Sequence, residues 1–445
     1  MRPRSITGPL ILVLIGLVFL LNNLGTNIGF WTVFSDYWPV MLIVLGVVGL
    51  AEVLFYTSRG AVPPPRPLGG AGMWIGIAFL IAIFTSAQRG MNIRLFDGPN
   101  FTMLGHERDY EINSTEPGSG IERILVESPR GDVTLHGEES TDVHVTGHKS
   151  IRAYNTSDAD RANSESKVDM QREGDLLTIR IDAAPRVNSA SLSADLNIAV
   201  PKNVSVEMRS RGGDIAVENI NGSLSLTNGR GDLRVSNIGN NVRLESTRSG
   251  QLKVNGVKGN LEVDGRGGEL QIQDVQGETT VNGEFSGTLE FRALAKQFHF
   301  KSQRSDFTVA QIPGRVVLDL GDLRMDNVIG PVRFTTGSRD VHATDISNSL
   351  ELNVDRGDID IEQSNKTPLP KIDIRSRHGD ITLAIPEKDG FELDGRTGQG
   401  DVTNSFGGTI QTKSEGRTST ISGRVGSGPK ITVTTDRGSI TVRKN

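Results

Sequence analysis

Six aspartates occupy one place in a repeated pattern: Asp214, Asp232, Asp306, Asp322, Asp340 and Asp358 each follow a glycine or a residue standing in for it. Stacked at one corner of a repeating fold, they would form a column of carboxylates. Such a column could bind calcium or, in a polysaccharide-cleaving β-helix, supply an acid and a base, with Asp322 and Asp340 as the pair to test. Gln251, Glu269 and Thr288 interrupt the column and arginines interleave it. Because an aspartate at a turn commonly bonds its own backbone, solvated turn carboxylates are the plainer reading.

Arg-Gly-Asp occurs at residues 130–132, 230–232 and 356–358, which could be read as an integrin-type adhesion triplet. Glycine and aspartate are the repeat's own turn residues, however, and Arg211, Arg248 and Arg266 stand just before other turns. His136, His144 and His148 form a histidine cluster, and positions 144 and 148 share a face if their strand runs through Gly147. Two imidazoles could hold a metal, but no cysteine or carboxylate sits at ligand spacing, so a surface pair is the plainer reading. The chain has no phosphate loop, nucleophile elbow or zinc-protease helix motif. The expectation is no catalytic, cofactor-binding or metal site, and a protein that is not an enzyme.

The elements that would position these residues are announced by periodicity. From Gly213 the turn residue recurs at Gly231, Gly250, Gly268, Gly287, Ser305, Gly321, Arg339 and Gly357, at intervals of 18, 19, 18, 19, 18, 16, 18 and 18. Counting the glycine as zero, apolar residues stand at plus two and plus four, at plus seven, and at plus eleven and plus thirteen, as in Ile215, Val217, Ile220, Leu224 and Leu226. Residues two apart share a strand face, so each repeat reads as two short strands and two turns. One such unit cannot bury its own apolar face, but stacked copies can. The fold expected is mainly β: a parallel β-solenoid with coils of about 18 residues, in which Ile215, Leu233 and Leu252 line one core. An antiparallel sandwich would give short alternating strands too, but has no reason to hold one period over eight units.

The 445 residues contain no cysteine, which removes disulfides, a cysteine nucleophile and thiolate metal sites. A net charge of −5 is small for this length and implies no nucleic-acid partner. The first 90 residues look different from the rest. Segments at about 6–24, 39–56 and 70–87 are apolar and long enough, in two or three cases, to span a bilayer as helices. Arg2, Arg4, Arg59 and Arg66 flank them on one side, whereas residues 26–36 carry no Lys or Arg. The bias places the N-terminus inside, gives three spans, and leaves the remainder outside the cytoplasm, with Arg89 and Arg94 against that orientation. Residues 91–120 are polar and read as a linker, 121–445 as the β domain, and 157–171 as a polar insert forming a short helix or loop. Beyond Gly357 the glycines at 379, 400 and 438 are spaced 22, 21 and 38 apart, so insertions there should project as loops or loosen the end.

The run from Ala194 to Val235, with Leu196, Val200, Pro201 and Val204 leading into Gly213, Asp214, Ile215 and Val217, resembles the bacterial toastrack, or putative-adhesin, β-helix family. The resemblance covers about 121 to 442. Separately, Leu21 to Gly25 closing one apolar segment and Trp38-Pro39 opening the next are similar to the transmembrane module of LiaF-type envelope-stress proteins, from which the third apolar segment departs. The resemblances imply a multi-pass cell-membrane protein with its β domain outside the cytoplasm, engaged in binding or sensing in a stress or regulatory response. Surface adhesion or scaffolding is the alternative, and a polysaccharide-active enzyme a third. Implied partners are the lipid bilayer and another envelope membrane protein or cell-surface ligand; no catalytic residues come with either resemblance.

Overall fold

The chain divides into two compact units, Met1–Thr102 and Met103–Asn445. The computed structural model describes residues 106–128, 130–153, 156–181 and 191–445. The apolar segments expected at 6–24, 39–56 and 70–87 lie outside the described residues. Among those described, no helix is long and apolar enough to cross a membrane.

The second unit is mainly β, with one α-helix among the described residues. A single rung shows why. In Ile215–Ile220 and Leu224–Asn228 buried residues alternate with exposed ones, and Ile215, Val217, Ile220, Leu224 and Leu226 are each at most 1% exposed. Neighbouring rungs hydrogen-bond in register, so identical positions stack. Val133, Ile215, Leu233, Leu252, Leu270 and Leu289 are successive Cα partners down one ladder of parallel strands. Ile124, Val206, Leu224, Val242, Leu261, Thr279 and Phe298 descend a second. Both ladders face one contiguous aliphatic core. Burying each of these side chains contributes about 1.5–3 kcal/mol, which a lone rung would forgo.

The expectation of a wholly parallel stack is corrected at both ends, where Asp142–Ala153 runs antiparallel to His106–Pro117 and Ser191–Pro201 and Phe391–Thr397 antiparallel to Thr418–Val425, and at one rung in the interior. Ser305–Val309 was expected beside Leu289–Leu294; instead it runs antiparallel to Phe298–Lys301 in the second ladder, with Phe307 opposite Phe300. Ile312–Leu318 then returns antiparallel to Leu289–Leu294 in the first ladder, and Asp322–Ile329 turns back antiparallel to it. Parallel stacking resumes with Asp340–Ser347. One rung therefore runs backwards between two hairpins, and the stack is solenoid-like but mixed. Both hairpins carry local turn chemistry. The Ser302 hydroxyl accepts from the N–H of Arg304 and Ser305 at 3.3 and 3.1 Å, and Asp319 Oδ1 accepts from those of Gly321 and Asp322 at 2.9 and 2.8 Å. Phenylalanines fill the core here, with ring centroids 4.3 Å apart for Phe291–Phe298, 5.7 Å for Phe298–Phe307 and 5.5 Å for Phe307–Phe334.

Both ends depart from simple succession. The linker read over 91–120 gives way to a strand, His106–Pro117, paired residue for residue with Asp142–Ala153. Its polar composition suits an outermost strand with little core to face. The polar insert at 157–171 is the helix Thr156–Glu165 followed by the strand Val168–Glu173. The helix buries Ala159 and Ala162. Its last carbonyls are capped by Lys149, which is 4% exposed; the Nζ donates to Asn163 O at 3.1 Å and to Ser166 O and Oγ at 2.6 and 3.0 Å. Burial holds the Lys149 pKa below the ordinary lysine value. At the other end the insertions do not project freely. Ile410–Glu415 and Thr418–Val425 form a hairpin that pairs with Phe391–Thr397. The final strands Lys430–Arg437 and Ile440–Lys444 slot between earlier rungs. The turn column therefore reads Gly357, Gly379, Gly438, Gly400 in space.

Candidate functional site

The two corners of each rung differ, and the sequence motifs fall on one of them. At the glycine corner, Gly213, Gly231 and Gly357 have φ of +129°, +120° and +133°, and a Cβ on Gly231 would lie 2.1 Å from the Gly213 carbonyl oxygen. Glycine is there because the next rung's backbone passes too close for anything else. The aspartate after it carries the stack. The Asp214 N–H donates to Asp132 Oδ1, and that of Asp232 to Asp214 Oδ1, both at 2.8 Å; the Gln251 N–H donates to Asp232 Oδ1 at 2.9 Å. The ladder recurs from Asp358 to Asp340, Asp380 to Asp358 and Ser439 to Asp380 at 2.9, 2.8 and 2.7 Å. In all three Arg-Gly-Asp triplets the glycine and aspartate belong to this corner.

The predicted column is thus real over part of its length, and its carboxylates accept backbone N–H groups. Asp306 is not in it, because its strand lies in the second ladder; it sits 3.1 Å from His299. Asp322 and Asp340 are Cα partners on adjacent rungs. Asp340 accepts from the Asp358 N–H and Asp322 pairs with Arg324. Among the described residues no group of three or more His, Cys, Asp or Glu could hold a metal ion.

The strand Asp142–Ala153 does run through Gly147, so His144 and His148 face the same way. Four residues of extended chain separate them by about 13 Å, too far to share an ion. His144 Nδ1 lies 3.1 Å from Thr115 Oγ1, and His148 Nε2 lies 3.5 Å from Asp195.

At the glycine corner the reversed rung supplies two hairpins instead of a crossing. Arg339, which replaces the repeat's glycine, reaches between them, with Nε 3.4 Å from Ser305 Oγ. Burial lowers the Arg339 pKa, against the opposing pull of Asp319. For Asp319, burial favours a higher pKa, but the N–H groups of Asp322 and Gly321 and the charges of Arg324 and Arg339 bring it below the usual value.

The opposite corner holds a feature that sequence reasoning missed: a groove of about 510 Å³. At plus six the chain enters the left-handed region, with φ of 60° at Asn219, 55° at Asn237, 74° at Gly256 and 56° at Asp274. One wall is this column, which Gly137 continues; the other is the plus-eight column of Asn221, Gly239, Lys258 and Gln276. Asn237 Nδ2 donates to Asn219 Oδ1 at 3.0 Å, Asn221 Nδ2 to Asn203 Oδ1 at 2.7 Å, and a Lys202–Glu139 ion pair closes one end. The visible signal was Asn, Asp or Gly recurring at plus six beside polar residues at plus eight.

A family model described as Toastrack DUF4097 matches residues 121–443, and one described as LiaF transmembrane domain matches residues 7–102. Among solved structures, a "putative cell adhesion protein" from Clostridium sporogenes is 10% identical, covering 76% of this chain and 100% of that one with a TM-score of 0.18. A "putative adhesin" from Bacteroides fragilis is 11% identical over 62% of this chain and 97% of its own, at 0.21. Another from Parabacteroides distasonis is 12% identical over 77% and 98%, at 0.19. No curated protein matches the chain.

Proposed function

Because the chain belongs to the Toastrack DUF4097 family and carries a LiaF transmembrane match, we propose that it is a multi-pass membrane protein whose β unit binds or senses at the cell envelope, outside the cytoplasm, without enzymatic activity. The observation that carries the reading is the order of the matches: a transmembrane domain over 7–102 runs directly into strands that begin at His106. Charge bias supports the orientation, since Arg2, Arg4, Arg59 and Arg66 fall on the side assigned to the cytoplasm. What speaks against catalysis is the use made of the carboxylates: the corner aspartates are committed to neighbouring backbone N–H groups. The role is a stress or regulatory one, in which the anchor contacts another membrane protein.

The chain's lack of cysteine makes orientation testable, because a single Thr335→Cys on an exposed strand face is the only thiol. A membrane-impermeant maleimide is expected to label it in intact cells; labelling only after permeabilisation would overturn the orientation. Exchanging residues 1–90 for an unrelated anchor separates the two roles. Loss of the cellular response is expected for the regulatory one, and full retention would mean adhesion or scaffolding instead.

A further inference from the structure

We propose that the groove at the plus-six corner takes an extended saccharide chain bearing hydroxyl and acetamido groups, laid along the stacking axis. This deepens the envelope-binding reading and rests on it.

The first argument is repetition. The groove crosses five rungs, from Gly137 to Asp274, and at the rung spacing it is about 19 Å long. Walls that repeat at each rung give cumulative contacts only to a ligand that also repeats, which points to a polymer lying along the axis. The second is the chemistry of the walls. Asn219, Asn221, Asn237 and Gln276 present amides, each with two N–H donors and an acceptor oxygen, so the Asn237 to Asn219 bond leaves capacity on both. Hydroxyl and acetamido groups are likewise donor and acceptor at once. Glu138, Glu139 and Asp274 nearly balance Lys202 and Lys258, which suits neither a polyanion nor a polycation.

The competing explanation is that left-handed backbone alone selects Asn, Asp and Gly at plus six. It does not extend to plus eight, where Asn221, Lys258 and Gln276 are exposed and have no positive φ. In the next rung the same two positions are Ala293 and Ala295, where the groove ends; Asn327 and Asp345 later resume the plus-six column, but beside Ile329 and Ser347 rather than an amide or a lysine. A peptide is disfavoured for a different reason. Adding a strand requires an unpaired edge, and each of these rungs is paired on both sides.

The test uses the full chain in nanodiscs with β-1,4-linked N-acetylglucosamine hexamer and dimer, and a Ser/Asn-rich heptapeptide, as probes. The hexamer is expected to bind at least about tenfold more tightly than the dimer, because it engages more rungs. Lys258→Ala/Gln276→Ala should weaken hexamer binding by at least about tenfold, as should Asn237→Gly, which keeps the left-handed backbone and removes the amide. Arg333→Ala, on the face of another strand, should leave binding unchanged. Melting temperatures establish that each variant is folded. Absence of saturable hexamer binding, equal affinity for dimer and hexamer, insensitivity to the groove variants, or preference for the peptide would each overturn the proposal. Retention on isolated cell envelopes is read in parallel: envelope binding without hexamer binding sinks the saccharide assignment and spares the envelope reading, whereas loss of both sinks both.

Discussion

The backward rung makes a prediction that can be checked covalently. His299 and Thr308 are Cα partners in antiparallel strands, and their side chains lie on the same outward face. Such partners have Cα atoms about 4.5–5.5 Å apart, inside the range a disulfide spans. Were the rung parallel, Thr308 would stand at plus three in the first ladder beside Glu290, and residues 299 and 308 would lie on different ladders. The double substitution His299→Cys/Thr308→Cys in the cysteine-free chain is therefore expected to oxidise to an intramolecular bridge, and Glu290→Cys/Thr308→Cys is not. The bridge would close a loop of about ten residues, for which the chain-entropy model gives about 2.7 kcal/mol of stabilisation as an upper figure. The cost is the exposed His299–Asp306 contact at 3.1 Å, worth under about 1 kcal/mol. Mass spectrometry under non-reducing conditions, with denaturant unfolding before and after reduction, reads both quantities. A bridge in the 290/308 pair and none in 299/308 would refute the reversal.

Other expectations concern the turns and the buried lysine. Gly231→Ala places a Cβ against the Gly213 carbonyl oxygen at a glycine-only φ and should cost about 2–4 kcal/mol in denaturant unfolding. Gly337→Ala, with nothing within 4 Å, should stay within about 0.5 kcal/mol; equal effects would discredit the corner argument. Asp319→Ala deprives two hairpin N–H groups of their acceptor and should destabilise by about 1.5–3 kcal/mol. Because the Asp319 pKa is lowered on folding, that contribution is present above the unfolded carboxyl's pKa and is lost as pH falls through the folded one. Acid titration of wild type against the variant should show the gap closing on that side only. Lys149 has the opposite arithmetic. Its folded pKa lies below the unfolded value of 10.5, so the unfolded chain binds more protons in that interval and stability rises with pH across it. The margin of wild type over Lys149→Met should widen toward pH 10.5, and a constant or shrinking margin would contradict the buried cap.

Composition and spacing alone determined that the chain is mainly β, that each repeat is two short strands joined by turns, and which side chains are buried. They did so because a period of two residues and a recurring glycine are local properties. Ile215, Leu233 and Leu252 stack as their positions required. Strand direction was not legible. The buried residues of the backward rung, Phe307, Val309, Ile312, Val316 and Leu318, have the same spacing as the forward set Ile215, Val217, Ile220, Leu224 and Leu226. Alternation says which residues face inward and nothing about which way the strand runs. The deciding residues were Ser302 and Asp319, whose turn bonds reverse the chain, and the interval of 16 residues from Ser305 to Gly321 was their trace in the sequence. Tertiary structure also made the polar stretch from His106 an outermost strand and carried the last strands between earlier rungs. It alone set the amides of Asn219, Asn237 and Gln276 along one groove, because residues 18 or 19 apart become neighbours only once the rungs have stacked.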